Sequence, residues 1–260
     1  MAIEEPEQAG RRVVRVPRRG VRLAVLSSTE AVFGEQDLSH DIIREIAYRA
    51  RLTTNKRGDV CFGSHMGRFF LLERGCVREN FPDGTARLWG PGALIGDWTG
   101  ARTSQTRVTV LSDDSAGLVI ASMDIAQLTG VHGPGLAYAL GRMSMHRLHA
   151  VETVYGASRL SPLSRVAKLL LFLANYFGYY DTRRHDGQRV KTIATQGSVE
   201  GPTQADFADA LGISRASVEN AIAALRDRGV LQKRRPEERR TNRRYVITDR
   251  EGLAQVAHAS

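Results

Sequence analysis

Residues 203–232, TQADFADALGISRASVENAIAALRDRGVLQ, hold two short amphipathic helices on either side of a glycine. Thr203 is a good N-cap, and Asp206 three residues on can close a capping arrangement with it. Phe207, Ala208 and Leu211 share one face of the first helix, and Ala208 is small where a second helix must come close. Gly212 ends that helix, because glycine enters the left-handed conformation without a Cβ clash. Ile213 plugs the turn. Ser214 caps the second helix, whose buried face is Val218, Ile222 and Leu225 at i, i+4 and i+7. The opposite face carries Arg215, Ala216, Ser217, Glu219 and Asn220. This pattern predicts a helix-turn-helix, which lays the N-terminal residues of its second helix in the major groove of DNA. There Arg215 suits a guanine and Asn220 an adenine edge. Ser214, Ser217 and the free N–H groups of the first turn suit phosphates, and Thr203 and Gln204 complete the expected DNA-facing set.

Charge points the same way. The chain carries a formal +9. Residues 226–244 hold nine Arg or Lys against three acids (Asp227, Glu237 and Glu238), a net of +6. Gly229-Val230-Leu231 and Tyr245-Val246-Ile247 read as strands flanking that basic loop, the wing of a winged helix. Its tip would lie on phosphates through Arg234, Arg235, Arg239, Arg240, Arg243 and Arg244, giving salt-dependent affinity that ignores sequence. The alternative is a small-molecule-binding signalling module whose winged helix contacts protein, but so cationic a wing suits a polyanion better. Residues 11–22 add six arginines and no acid, so residues 1–34 are expected to be a disordered basic arm.

The remaining composition narrows the choices. No P-loop, HExxH or GxSxG is present, so an enzyme is not expected. The two cysteines, Cys61 and Cys76, do not make a disulfide framework. Cys61, His65 and Cys76 could share a metal, but a cysteine in an apolar strand is more simply a small core residue; no metal is assigned. His146 and His149, at i and i+3, are read as helix packing. No apolar run approaches the length of a membrane span or of a signal-peptide core, and a cytoplasmic protein is expected.

Upstream, Asp37 to Leu52 has helical periodicity with Leu38, Ile42, Ile43, Ile46 and Ala47 inward. From Arg57 to Ile120 short apolar runs alternate with turn signals such as Pro82-Asp83-Gly84 and Gly90-Pro91-Gly92, which predicts an all-β barrel or roll. Ser122 to Thr129 reads as a short helix. Pro134 to Gly156 reads as a long one, with Leu136, Leu140, Met143, Ala150 and Val154 as a heptad-like stripe. Ser161-Pro162 opens a strongly apolar helix through Phe177. Residues 178–201 look like a loop or small strands.

Taken in order, a β-roll, a long helix, a hinge and a winged helix resemble the catabolite-activator/fumarate-nitrate-reduction (Crp/Fnr) regulators over about residues 35–250. The matching stretches are FFLLERGCVRENFPDGTARLWGPGALIGD (69–97), SRVAKLLLFLAN (164–175) and TQADFADALGISRASVENAIAAL (203–225). The resemblance implies an α+β chain with a cyclic-nucleotide-binding-like β-roll over 35–132, a dimerisation helix and hinge over 133–160, and a winged helix-turn-helix over 161–260. It further implies a homodimer on near-palindromic double-stranded DNA, and RNA polymerase as partner if the chain activates transcription. By resemblance Arg215 matches a base-reading arginine, while Ala216 and Asn220 stand where the family has a glutamate and a second arginine. Cyclic-nucleotide-binding members hold ribose with Gly-Glu and the cyclic phosphate with an arginine 11 residues after the glycine. Here Gly96-Asp97, Arg107 and then Thr109 fill those places, although counting back from Ile120 puts Gln105 at the arginine position. A degenerate sensory domain, with Arg107 an exposed strand arginine, is thus the expectation, and the alternative is a cyclic-nucleotide-gated regulator using Asp97 and Arg107.

Overall fold

The computed structural model describes residues 26, 29, 38–63, 67–96, 106–177, 181–185, 188–192, 197–233 and 243–259. The basic arm of residues 1–34 lies outside them apart from Leu26, which packs against the core, and Thr29, which is buried. Helix α1 (His40–Arg49) starts at Ser39, whose hydroxyl accepts from the Ile42 N–H, and it buries Ile43 and Ile46. The helix expected to reach Leu52 stops sooner. Arg51–Lys56 is strand β1, paired over six residues with β8 (Asp114–Ala121). β1 is a polar edge strand, so no alternation of apolar residues announces it.

The other strands lie where the apolar runs put them: β2 (Val60–Gly63), β3 (Arg68–Arg74), β4 (Val77–Asn80), β5 (Ala86–Trp89), β6 (Leu94–Gly96) and β7 (Arg107–Val110). They form two four-stranded antiparallel sheets, ordered β1-β8-β3-β6 and β2-β7-β4-β5. Phe62, Phe70, Leu72, Val77, Trp89, Ile95, Val108 and Val110 fill the space between the sheets.

β8 runs into α2 (Ser122–Ala150), which breaks at Gly133 (φ 59°, ψ −138°) just before Pro134. The short and long helices of the sequence reading are both present in this segment, separated by the non-helical Gly133. A π-helical turn, Val151–Tyr155, continues it. The stripe Leu136, Leu140, Met143, Ala150 and Val154 does not face solvent, as pairing with a second chain through it would require. All five are buried within the chain, because the helix lies along its own roll and meets the C-terminal domain. The large apolar residues left exposed on α2 are Met123, Val131, Tyr138, Met145 and Leu148.

The C-terminal domain is α3 (Pro162–Phe177), a hairpin of β9 (Asp181–His185) and β10 (Gln188–Thr192), β11 (Ser198–Glu200), α4 (Gln204–Leu211), α5 (Arg215–Asp227), β12 (Arg244–Val246) and α6 (Arg250–His258). Val166, Leu169, Leu170 and Leu173 of α3 form its centre, packed with Phe207, Val218, Ile222, Leu225 and Leu253. The two wing strands are less regular than expected. Leu231 bridges Ile247 as a single pair, and β12 makes its ladder with β11.

One buried ion pair ties the roll to the long helix. Glu79 on β4 is 2% exposed, and its carboxylate accepts from Arg147 Nη2 at 2.7 and 2.8 Å and from Trp89 Nε1 at 2.8 Å. Arg147 also donates to the Leu94 carbonyl at 3.1 Å and lies over the Trp89 ring. Trp89 in turn meets Tyr155 and Phe172 edge-on. The Tyr155 hydroxyl donates to the Leu88 carbonyl and accepts from the Leu88 N–H, and burial pushes its pKa up, so it stays a neutral donor. Glu79→Ala would strand the Arg147 charge and should cost about 3 kcal/mol or more in urea unfolding. A loss under about 1 kcal/mol would mean that water takes the place of the carboxylate.

Candidate nucleic-acid interface

The helix-turn-helix forms as its residues dictate. Thr203 and Asp206 close a capping box: the Thr203 Oγ1 accepts from the Asp206 N–H at 3.2 Å, and the Asp206 carboxylate accepts from the Thr203 N–H at 2.7 Å. Gly212 ends α4 at φ 60°, ψ 41°, a left-handed conformation that would strain a residue with a side chain. Ser214 caps α5 by accepting from the Ser217 N–H at 3.0 Å, and the two hydroxyls are 2.8 Å apart. Val218, Ala221, Ile222 and Leu225 lock the inner side of α5. Arg215, Ala216, Glu219 and Asn220 are all exposed on its outer side, with Ser217 half-buried beside them.

Arg165, an arginine in the apolar α3, was not singled out by sequence. It is buried and donates through Nη2 to the carbonyl of Leu211, the last residue of α4. It thus satisfies a helix-end carbonyl that has no partner inside its own helix. The only sequence signal is a charge interrupting an apolar helical face.

The start of α4 is placed differently from the expected phosphate-contact set. Gln204 is 8% exposed, and the Thr203 hydroxyl is spent on Asp206. Arg78, on the outer side of β4, meets this helix. Its Nη1 lies 3.1 Å from Asp206 Oδ1 and 2.8 Å from Asp209 Oδ2, holding α4 against the roll. In the wing, Arg234, Arg235, Arg239 and Arg240 lie outside the described residues. Arg243 donates to the Gly201 carbonyl at 3.0 Å and Arg244 pairs with Glu200 at 3.0 Å, so both brace the base of the wing. Both guanidiniums keep further N–H donors.

Of the residues expected to hold an effector, Gly96, Arg107 and Thr109 are among the described ones. Strand β7 alternates, with Val108 and Val110 buried inside the roll and Arg107 exposed on the outer face, Thr109 with it and half-buried. Asp97 lies outside the described residues. Gly96 has a packing reason of its own: a Cβ there would sit 2.5 Å from Phe69 Cδ1. The cysteines sit apart, Cys76 in the core shared with the C-terminal domain and Cys61 beside Val108. Burial pushes both thiols up, Cys61 to about 12.

Residues 164–256 match the model of the Crp-like helix-turn-helix domain. Solved structures similar to the whole chain include FixK2 of Bradyrhizobium japonicum, at 17% identity and TM-score 0.59 over 81% of this chain and 98% of that one. A Ruegeria pomeroyi protein described as cyclic-nucleotide-binding is 16% identical, with TM-score 0.58 over 92% of this chain and 99% of its own. A Eubacterium rectale protein described as a Crp/Fnr-family transcriptional regulator is 13% identical, with TM-score 0.52 over 86% and 97%. The chain matches no curated protein by sequence. Residues 164–256 are therefore a Crp-like helix-turn-helix domain, and the chain as a whole has the fold of the Crp/Fnr regulators. Among the described residues no helix is long and apolar enough to cross a membrane.

The outward Arg107 predicts that cyclic AMP at millimolar concentration leaves the unfolding temperature unchanged. A ligand at 100 times its dissociation constant would add about 2.7 kcal/mol and be plain in the melt. A shift that disappears in Arg107→Ala would restore that arginine to the effector site.

Proposed function

We propose that the chain is a sequence-specific DNA-binding transcription regulator that works as a homodimer on a near-palindromic site. The observation that carries this reading is the outer side of α5. A helix fixed on its inner side by Val218, Ile222 and Leu225 presents Arg215, Ala216, Glu219 and Asn220 to solvent from its first two turns. Those turns are where a recognition helix meets base edges. An arginine and an asparagine there offer bidentate partners for guanine and adenine. The net +6 of residues 226–244 supplies a sequence-independent hold on phosphate.

The exposed side of α2 supports pairing. Beyond the break at Gly133, Tyr138 and Met145 are seven residues apart, 66% and 63% exposed, with Leu148 three residues further on. Gly141 lies between them, where an added Cβ would meet nothing within 4 Å, and it permits close approach of a second helix. Two chains joined there would offer their α5 helices to successive major grooves, about 34 Å apart.

Selection from a pool of random duplexes tests the reading. The expected product is a two-fold symmetric site with a guanine in each half. Arg215→Ala should cost about 1–3 kcal/mol on that site and relax preference at one base pair per half. An unchanged preference in the variant would remove Arg215 from base reading, and no enrichment by the wild-type chain would contradict the function itself.

A further inference from the structure

The first residue of α5, Arg215, is held by the residue one helical turn later. Its Nε lies 2.9 Å from Glu219 Oε1, with the two side chains 66% and 45% exposed. Glu219 is the sole acid on α5 ahead of Asp227. Ala216, between them on the outer face, has no reach beyond Cβ and leaves the pair unobstructed. Among the described residues neither side chain makes another hydrogen bond, so Arg215 keeps Nη1 and Nη2, and Glu219 keeps Oε2.

Such a pair contributes little as a surface salt bridge, and α5 does not need it, being fixed by its cap and its buried face. Its geometry has a use in a groove. With Nε taken from the side, the guanidinium presents its two terminal nitrogens end-on, the arrangement that meets guanine O6 and N7 together. The carboxylate also alters which partner is preferred. A flexible arginine beside DNA finds phosphates, which neutralise it without conveying sequence. An anion next to that arginine repels phosphate but accommodates the neutral base edge. Once the groove excludes water, both effects grow.

We infer that Glu219 is a positioning residue that turns Arg215 from a phosphate contact into a guanine reader. It trades non-specific affinity for discrimination, a repulsive element placed against the wrong partner. The inference rests on α5 being the base-reading helix.

The experiment uses the full chain, the operator selected by the wild type, and single-base variants of that operator. Affinities are measured for wild type, Glu219→Ala, Arg215→Ala and the double variant. Both side chains are exposed, and melting curves confirm that the variants remain folded. Glu219→Ala is expected to lower the preference for guanine over the other bases at the Arg215 position about tenfold. It should also strengthen binding to random duplex, and add no further loss of preference in the Arg215→Ala background. Retention of full guanine preference by Glu219→Ala would overturn the inference. A loss of preference at a different base pair that persists without Arg215 would also overturn it, because Glu219 would then read a base of its own, such as a cytosine amino group. A wild type that selects no operator would count against the DNA-reading function rather than against the role of Glu219.

Discussion

The arrangement of the molecule depends on a charge that has no exit to water. Glu79 is sealed inside the roll, and a buried carboxylate requires a cation and hydrogen-bond donors. Arg147 and Trp89 supply them, and Arg147 comes from the long helix, so the helix has one seat on the roll. Replacing such a pair with apolar residues is often no loss in stability, and its use lies in fixing one geometry over its neighbours. With Trp89 fixed, Tyr155 of the π-helical turn and Phe172 of α3 pack on its edges, and the C-terminal domain acquires a defined approach. The next residue along the strand faces the other way, as strand pleating requires. Arg78 reaches Asp206 and Asp209 on α4. Two successive residues of β4 thus hold two different parts of the chain, the long helix on one side and the helix-turn-helix on the other.

That placement bears on function through what it covers and what it leaves open. The beginning of α4 is turned toward the roll, while the outer side of α5 stays in solvent with its arginine, acid and asparagine. In the proposed complex, contact with bases and contact with phosphate are separated along the chain. The former is confined to a few side chains on α5, and the latter is spread over the basic wing and the start of α5. Salt should then weaken binding to every sequence while leaving the ranking of sequences nearly unchanged.

Much of this was legible in the sequence where local chemistry decides the structure. Thr203, Asp206, Gly212 and Ser214 are cap residues, and each took the cap its side chain favours. The strands β2 to β8 followed apolar runs and turn residues, which periodicity reports directly. What escaped depends on contacts distant along the chain. β1 is polar and exists because β8 offers it a ladder. Leu136, Leu140 and Met143 have the spacing of a pairing stripe, and spacing alone does not say whether the partner is another chain or the same chain's roll. The outward Arg107, by contrast, was legible: the alternation Arg107-Val108-Thr109-Val110 outweighs a motif spacing counted from Gly96. Nothing in the sequence singles out Glu79, Arg147, Arg78 or Arg165, since a charge is not marked as buried until its partner from another element is placed beside it.

The most direct measurement is methylation interference on an operator duplex bound by the full chain. Methylating guanine N7 blocks the major-groove edge that Arg215 is held to meet, and methylating adenine N3 blocks the minor groove. The account predicts interference from guanine N7 at two symmetry-related positions about one helical turn apart, with minor-groove methylation tolerated between them. Interference from adenine N3 alone, or from one unsymmetrical position, would contradict a pair of α5 helices reading the major groove.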